Sequence, residues 1–330
     1  MQEVLLSPEQ IALRAGQQIP YLQLPERSQA FAARAARLRQ LAPAHAMHDF
    51  LLFAAELARS QQEALQGFPQ VALPDAAALD AAVTLGQPPL PALGWQRDHQ
   101  WRTALRGLLD GLSSRLGPGP AREAVRRVLE MEDAQLEQQA DRLLGGQTAG
   151  LDLAASPLIG AGLQVYWTHM ALAIRDGRAA PGQAPFGRTA DATCCPCCGS
   201  LPTASVSRID PGGGHYRYLQ CSLCPAQWHM VRIKCSHCEG TKGIHYQSLQ
   251  AVDAGEPPAK AALEAETCDQ CGHYLKIVRM ERDPAVEPAA DDLASLTLDL
   301  LLSQAGYRRH GVNLMLLFRE PDESADGGGG

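Results

Sequence analysis

Ten cysteines occur in this 330-residue chain, and none precedes position 194. Eight of them form four Cys-x-x-Cys pairs: Cys195 with Cys198, Cys221 with Cys224, Cys235 with Cys238, and Cys268 with Cys271. A two-residue gap lets one tight turn aim two sulfurs at a single point. A Gly or Pro close behind (Gly199, Pro225, Gly240, Gly272) helps backbone N–H groups approach those sulfurs. Two such knuckles facing each other supply four thiolates in a tetrahedron, which suits zinc or a rubredoxin-type single iron. A disulfide scaffold would spread its cysteines through a short secreted chain, whereas these crowd into residues 194–271 of a long one.

The spacing suggests how the knuckles share metals. Residues 199–220 (22 positions) separate the first two pairs, and residues 239–267 (29 positions) separate the last two. Either gap accommodates a hairpin, as in zinc ribbons and rubredoxins. The expected sites are therefore Cys195, Cys198, Cys221 and Cys224 around one ion, and Cys235, Cys238, Cys268 and Cys271 around another. The ten-residue gap between Cys224 and Cys235 also permits a site made by the two middle knuckles. Cys194 and Cys197 form an overlapping Cys-x-x-Cys; they read as passive neighbours, with ligand exchange or oxidation as the alternative. His237 lies inside a knuckle and reads as an exposed or outer-sphere residue, because four cysteines are already available. His229 and His273 are explained by strand positions.

These knuckles need elements to hold them. Residues 1–184 read as helical. Ser7-Pro8-Glu9-Gln10 has the form of a capping box. Helices are expected at Ser28–Leu41, Met47–Leu65, Asp75–Leu85 with Asp75 as cap, Arg97–Leu116, Ala121–Leu144 and Leu153–Ile174. Their apolar stripes read as core. The proline-rich run Gly86–Gly94 reads as a loop. Leu153–Ile174 carries no formal charge over 22 residues. It contains Ser156, Pro157, Gln164, Thr168 and His169 and two glycines, which favours a buried helix over a membrane span. Gly177–Thr193 reads as a linker. Strands are expected at His215–Gln220, Gln227–Lys234, Gly243–Leu249 and His273–Met280, with Gly212–Gly214 as a hairpin tip. An amphipathic helix at Asp291–Gln304, an apolar stretch Val312–Phe318 and a disordered glycine-rich end complete the reading. The expected fold is multi-domain α+β. An N-terminal all-α domain (1–184) precedes two tandem rubredoxin-like or zinc-ribbon metal modules (185–233 and 234–285), then a C-terminal helix and tail (286–330).

Composition narrows the function. The chain is 45% hydrophobic and 20% charged, enough to bury a sizeable core. With 29 basic and 36 acidic residues the net charge is −7, which argues against nucleic acid as the main partner. Residues 200–283 carry nine basic and nine acidic side chains, so the metal modules are not a basic surface either. The start lacks a basic n-region and an unbroken apolar h-region, so a cytoplasmic location is expected. Gly-x-Ser-x-Gly, phosphate-loop, His-Glu-x-x-His and dinucleotide motifs are all missing from the sequence, which points away from an enzyme.

Several segments together resemble a known family. They are Cys-Pro-x-Cys-Gly-Ser-x-Pro (Cys195–Pro202), Arg-Tyr-Leu-x-Cys-x-x-Cys (Arg217–Cys224), Trp228, Arg-x-Lys-Cys-x-x-Cys (Arg232–Cys238) and Cys-x-x-Cys-Gly-x-Tyr-Leu-Lys (Cys268–Lys276). To these add Asp291–Leu300 and Gly306-Tyr307-x-Arg309. The set is similar to the formate dehydrogenase accessory protein family FdhE, over most of the chain. The resemblance implies a cytoplasmic maturation factor rather than an enzyme. It implies contact with the catalytic subunit of respiratory formate dehydrogenase, and cysteine motifs that hold iron or zinc. Carried onto this sequence, those motifs fall on Cys195, Cys198, Cys221, Cys224, Cys235, Cys238, Cys268 and Cys271. Cys194 and Cys197 are a departure from the pattern. The competing readings are a rubredoxin-like electron carrier, a zinc-ribbon adaptor protein and a dithiol oxidoreductase. No nucleic-acid or membrane partner is expected, and a homodimer is compatible with the sequence.

Overall fold

The computed structural model describes residues 20–178, 186–209, 215–249 and 261–316. The capping box at Ser7–Gln10, the hairpin tip at Gly212–Gly214, residues 179–185 of the expected linker and the glycine-rich end lie outside the described residues.

Among the described residues the N-terminal half has seven helices: α1 (Ala32–Leu41), α2 (His48–Gln66), α3 (Ala76–Leu85), α4 (Gln100–Ser113), α5 (Pro120–Leu129), α6 (Asp133–Leu144) and α7 (Ser156–Gly177). The Asp75 carboxylate accepts from Ala78 N–H at 2.8 Å, satisfying an orphan donor at the start of α3. The uncharged α7 is buried on almost every face, with α2, α4, α5 and α6 packed around it. Gly162 permits this closeness: a Cβ there would stand 2.9 Å from Leu105 Cδ1. Among the described residues no helix is long and apolar enough to cross a membrane.

The expected helix over 121–144 is two helices. The chain turns extended at Glu132, with buried Met131 between them. Arg106 donates to the Met131 carbonyl at 3.1 Å and to Asp133 Oδ1 at 2.8 Å, so it takes the polar groups at the break. The tail helix is also two, α8 (Pro288–Leu293) and α9 (Leu296–Gln304). Here the Lys276 ammonium donates to the carbonyls of Asp292 (2.9 Å) and Ser295 (3.2 Å), and the Ser295 hydroxyl donates to Asp291 O and Asp292 O. These side chains satisfy carbonyl groups at the break between α8 and α9.

The C-terminal half is one sheet. Its strands are β1 (Leu22–Gln23), β2 (Pro202–Ile209), β3 (His215–Cys221), β4 (Gln227–His229), β5 (Ile244–Gln247), β6 (Leu263–Cys268), β7 (His273–Arg279) and β8 (Arg308–Arg309). Their order is β1-β4-β3-β2-β7-β6-β5, with β8 beside β7. The neighbours are antiparallel except β2 with β7 and β7 with β8, which are parallel. The strands that carry the two groups of knuckles are therefore joined through Ser205↔Ile277, Val206↔Val278 and Ser207↔Arg279.

Strands β2 and β6 were not expected. Their sequences, PTASVSRI and LEAETC, alternate apolar with polar residues, but the apolar ones are mostly small and the polar ones are mostly buried as well. Buried ion pairs hold that polar face. Arg217 bonds Glu266 at 2.7 Å and the Ser205 hydroxyl at 3.1 Å, and Arg279 bonds Glu264 at 2.5 Å. The expected strand 227–234 is shorter, ending at His229. Leu219, Trp228 and Leu275 join the main core of the helices, and two small clusters serve the rest of the sheet: Val206, Tyr218, Val278 and Val286, and Ala265, Tyr274, Leu298 and Leu302.

Candidate metal centres

Each knuckle is a tight turn built by its own backbone. At the first, Gly199 N–H donates to Cys195 O and Cys195 N–H to Ser200 O. At the third, Glu239 N–H donates to Cys235 O, and at the fourth Gly272 N–H to Cys268 O. The turn needs a left-handed residue after the second cysteine: Gly199 (φ 73°) and Gly272 (φ 68°) serve without strain. At the third knuckle Glu239 adopts φ 59° and pairs with Lys234. Amides of Cys197, Leu223, Cys224 and His237 reach knuckle sulfurs at 3.3–3.4 Å.

The knuckles come together in two groups. Cys195, Cys198, Cys221 and Cys224 place their sulfurs within 4.8 Å of one another, and so do Cys235, Cys238, Cys268 and Cys271. Individual separations are 3.6 Å (Cys195–Cys224), 3.4 Å (Cys198–Cys221), 3.8 Å (Cys198–Cys224 and Cys235–Cys271) and 3.9 Å (Cys238–Cys268). All ten cysteines are free. A tetrahedral ion with metal–sulfur bonds of about 2.3 Å spaces its thiolates about 3.8 Å apart, so the donor sets fit such an ion. The two middle knuckles share no cluster among the described residues.

The family assignment follows from the whole chain. Three FdhE family models match in sequence: the N-terminal over residues 19–183, the central domain over 194–232 and the C-terminal domain over 233–316. The chain is 41% identical to a protein FdhE homolog of Pseudomonas aeruginosa, over 96% of this chain and 98% of that one. It is 38% identical to a protein FdhE homolog of Cronobacter sakazakii, over 92% and 93%. The crystal structure of the FdhE protein from Pseudomonas aeruginosa superposes with a TM-score of 0.74 at 40% identity, covering 90% of this chain and 99% of that one.

The chain belongs to the FdhE family.

Within this FdhE-family chain the two clusters sit in different surroundings. The first is sealed: Cys195 and Cys224 are 0% exposed, Cys198 and Cys221 1%. Its burial comes from the helical half. Gln164 on α7 donates from Nε2 to Ser222 O, inside the second knuckle, at 2.7 Å. Leu90 and Ala92 N–H donate to the Cys197 and Cys198 carbonyls at 3.0 and 2.8 Å. Trp167 Nε1 then donates to Leu90 O, clamping that loop to α7. At the second cluster Cys238 is exposed and Cys271 half-buried.

Crowding of buried sulfurs controls their ionisation. Burial and the hydrogen bonds of the neighbouring sulfurs push Cys221 and Cys224 well above the usual thiol range. Burial opposes ionisation of Cys195 as well, but the hydrogen bonds converging from its neighbours hold it well below that range. A cation in the centre of such a cluster stabilises all four thiolates. At the second cluster the Gly240 amide draws Cys238 below the thiol range.

Cys197 is not a remote bystander. It is 0% exposed, and its thiol lies within interaction range of Cys195 and Cys224, a fifth sulfur beside the first cluster. Cys194 points instead towards Thr193, and burial pushes it up to about 11. His229 rests edge-on against Tyr216 and Tyr218. His237 stacks on His273 with ring centroids 3.7 Å apart, and His310 meets His237 edge-on at 5.1 Å. Sequence reasoning missed His310, which lies 37 positions beyond His273 and joins it only because β8 pairs with β7. It also missed the buried network of Lys276, Asp292, Asp299, Arg309 and Tyr274 that fastens the tail to β7. Arg37, from α1, reaches the same tail at Asp291 (2.7 Å).

Proposed function

We propose that this chain is a maturation factor for respiratory formate dehydrogenase, acting in the cytoplasm by binding the dehydrogenase's catalytic subunit. Membership of the FdhE family carries the accessory role. The two converging tetracysteine clusters support the manner of action. Cys195, Cys198, Cys221 and Cys224 would hold one ion and Cys235, Cys238, Cys268 and Cys271 a second, iron or zinc in each case. The ions supply a cross-link, and iron would add one-electron chemistry. Binding free energy then becomes folding free energy for knuckles whose sheet adds only two small apolar clusters to the main core. The protein's own groups do the rest: Gln164, Leu90 and Ala92 fix the first cluster against the helices.

On this reading the chain does no catalysis itself. Helices 1–184 and the modules 185–233 and 234–285 form one platform, with 286–330 as its tail, and the dehydrogenase is the client. The family segments support the divisions near 184 and 233, while the third segment runs on to 316 across the last one.

The test is co-purification. Full-length chain isolated without oxygen should carry two metal equivalents and retain the dehydrogenase catalytic subunit. The Cys195→Ser/Cys198→Ser variant should lose one equivalent and lower dehydrogenase activity in cells without changing its transcription. A thiol-only protein, or unaltered dehydrogenase activity in a deletion strain, would refute the proposal.

A further inference from the structure

Beside the second cluster stands a group of imidazoles that the tetracysteine reading does not use. His237 follows Ser236 inside the third knuckle, His273 opens β7, and His310 follows β8. One donor atom from each of His237, Cys271 and His273 lies within 4.8 Å of the other two. Three features point these rings towards a cation. His273 Nδ1 lies 2.9 Å from the Cys271 carbonyl, which can only accept. Nδ1 therefore carries the proton, and in the neutral ring Nε2 keeps a bare lone pair. His310 is 8% exposed, interacts with the Ser236 backbone, and its Nε2 has no hydrogen-bond partner. A buried imidazole nitrogen without a partner is costly unless something occupies it. His237 is exposed and its ring makes no hydrogen bond among the described residues, so it turns without losing one.

We propose that a third ion, a borderline divalent metal of the zinc type, binds on the solvent-facing rim of the second cluster through His237 and His273. His310, edge-on to His237, flanks the pair, and Cys271 is shared between this ion and the tetracysteine ion. Imidazole donors select such metals over calcium or magnesium. The hydrogen bond from His273 Nδ1 to a backbone carbonyl is the usual way a protein orients a ligating ring. Electrostatics favour the site. Four thiolates around a divalent ion leave a net charge of about −2 next to it, and the Asp191 carboxylate acts on His310. Arg308 acts on His237 in the opposite sense. The stacked rings are only 9° from parallel, so His237 must rotate out of the stack to aim its lone pair at the same point as His273. Its exposure allows this, and the ion would come and go from solvent.

This inference rests partly on the tetracysteine reading, through Cys271, and the experiment separates the two. Full-length protein is equilibrated with buffered cadmium-113 alone, its metal content counted, and its cadmium resonances recorded. Nitrogen donors move a cadmium resonance away from the tetrathiolate region. The expected spectrum has two tetrathiolate signals and a third, nitrogen-containing one. His237→Ala changes an exposed ring and leaves the fold in place. It and His273→Ala should each weaken the third ion by at least about 10- to 100-fold, the scale of losing even an outer partner of a metal ligand. His310→Gln should weaken it as well. A wild-type protein that saturates at two ions overturns the proposal, as does a His237→Ala variant that keeps a third with unchanged affinity. Missing tetrathiolate signals beside an intact third one would instead count against the tetracysteine reading.

Discussion

Gln164 offers the sharpest test of how the helical half holds the first cluster. Its amide is 3% exposed and makes three contacts. Nε2 donates to Ser222 O at 2.7 Å, and Oε1 accepts from Gln61 Nε2 at 2.9 Å and from Arg34 Nη1 at 3.1 Å. In Gln164→Leu the side chain keeps similar bulk but becomes apolar, and all three contacts vanish. Gln61 keeps Ala161 O, and Arg34 keeps Glu287. Ser222 O, within the second knuckle, loses its amide donor. An orphaned buried acceptor costs about 1–3 kcal/mol, and the other two losses add about 1 kcal/mol together. The expected loss is thus about 2–4 kcal/mol. At about 2 °C per kcal/mol for a chain of this size, the melting temperature should fall by about 4–8 °C. Because the slack is created at the second knuckle, metal release to a chelator should quicken at the first cluster and stay unchanged at the second. Calorimetry and chelator kinetics on the full-length protein read both quantities. Equal acceleration at both clusters would refute the coupling. An unchanged melting temperature would refute the hydrogen-bond argument altogether.

Other consequences are expected together. A chelator should remove the ion of the exposed Cys238 cluster before that of the sealed one, giving two resolved phases in stopped-flow absorbance; a single phase contradicts the burial asymmetry. Gly162→Val would drive a side chain into Leu105 and should cost about 1–3 kcal/mol in urea unfolding. Lys276→Met leaves Asp292 and Asp299 facing each other with only Arg309 between them, and should cost about 3–5 kcal/mol and expose the tail to protease. Burial, then Arg27, lowers the pKa of His169 from 6.5 to about 4. The unfolded chain therefore binds this proton more readily. Its stabilisation is complete above about pH 6.5 and is lost as pH falls towards 4, a change of about 3 kcal/mol in all. His169→Gln should flatten that part of the stability profile in urea titrations at pH 7 and 5.

What the sequence determined was local. A Cys-x-x-Cys with a glycine close behind fixes a turn through φ and a single short hydrogen bond, so the eight cysteines could be named before any fold was known. Helical stripes behaved the same way, since residues three and four apart share a face whatever surrounds them. The uncharged run 153–174 is long enough to announce a buried helix. What failed were the features that depend on distant partners. Strands β2 and β6 alternate only small residues with polar ones, and their polar face is buried through Arg217–Glu266 and Arg279–Glu264, pairs that no periodicity displays. The helix breaks at Met131 and Ser295 arise from Arg106 and Lys276, which arrive from elsewhere in the chain. Gap lengths left two knuckle pairings open, because loop closure depends only weakly on length; sheet register and the docking of α7 on Ser222 bring together one of them. The parallel pairing of β2 with β7 fuses the modules, and that of β7 with β8 carries His310 to His273. The burial of one cluster, the exposure of the other and the imidazoles beside it are consequences of packing between segments remote in sequence, which only the tertiary structure decides.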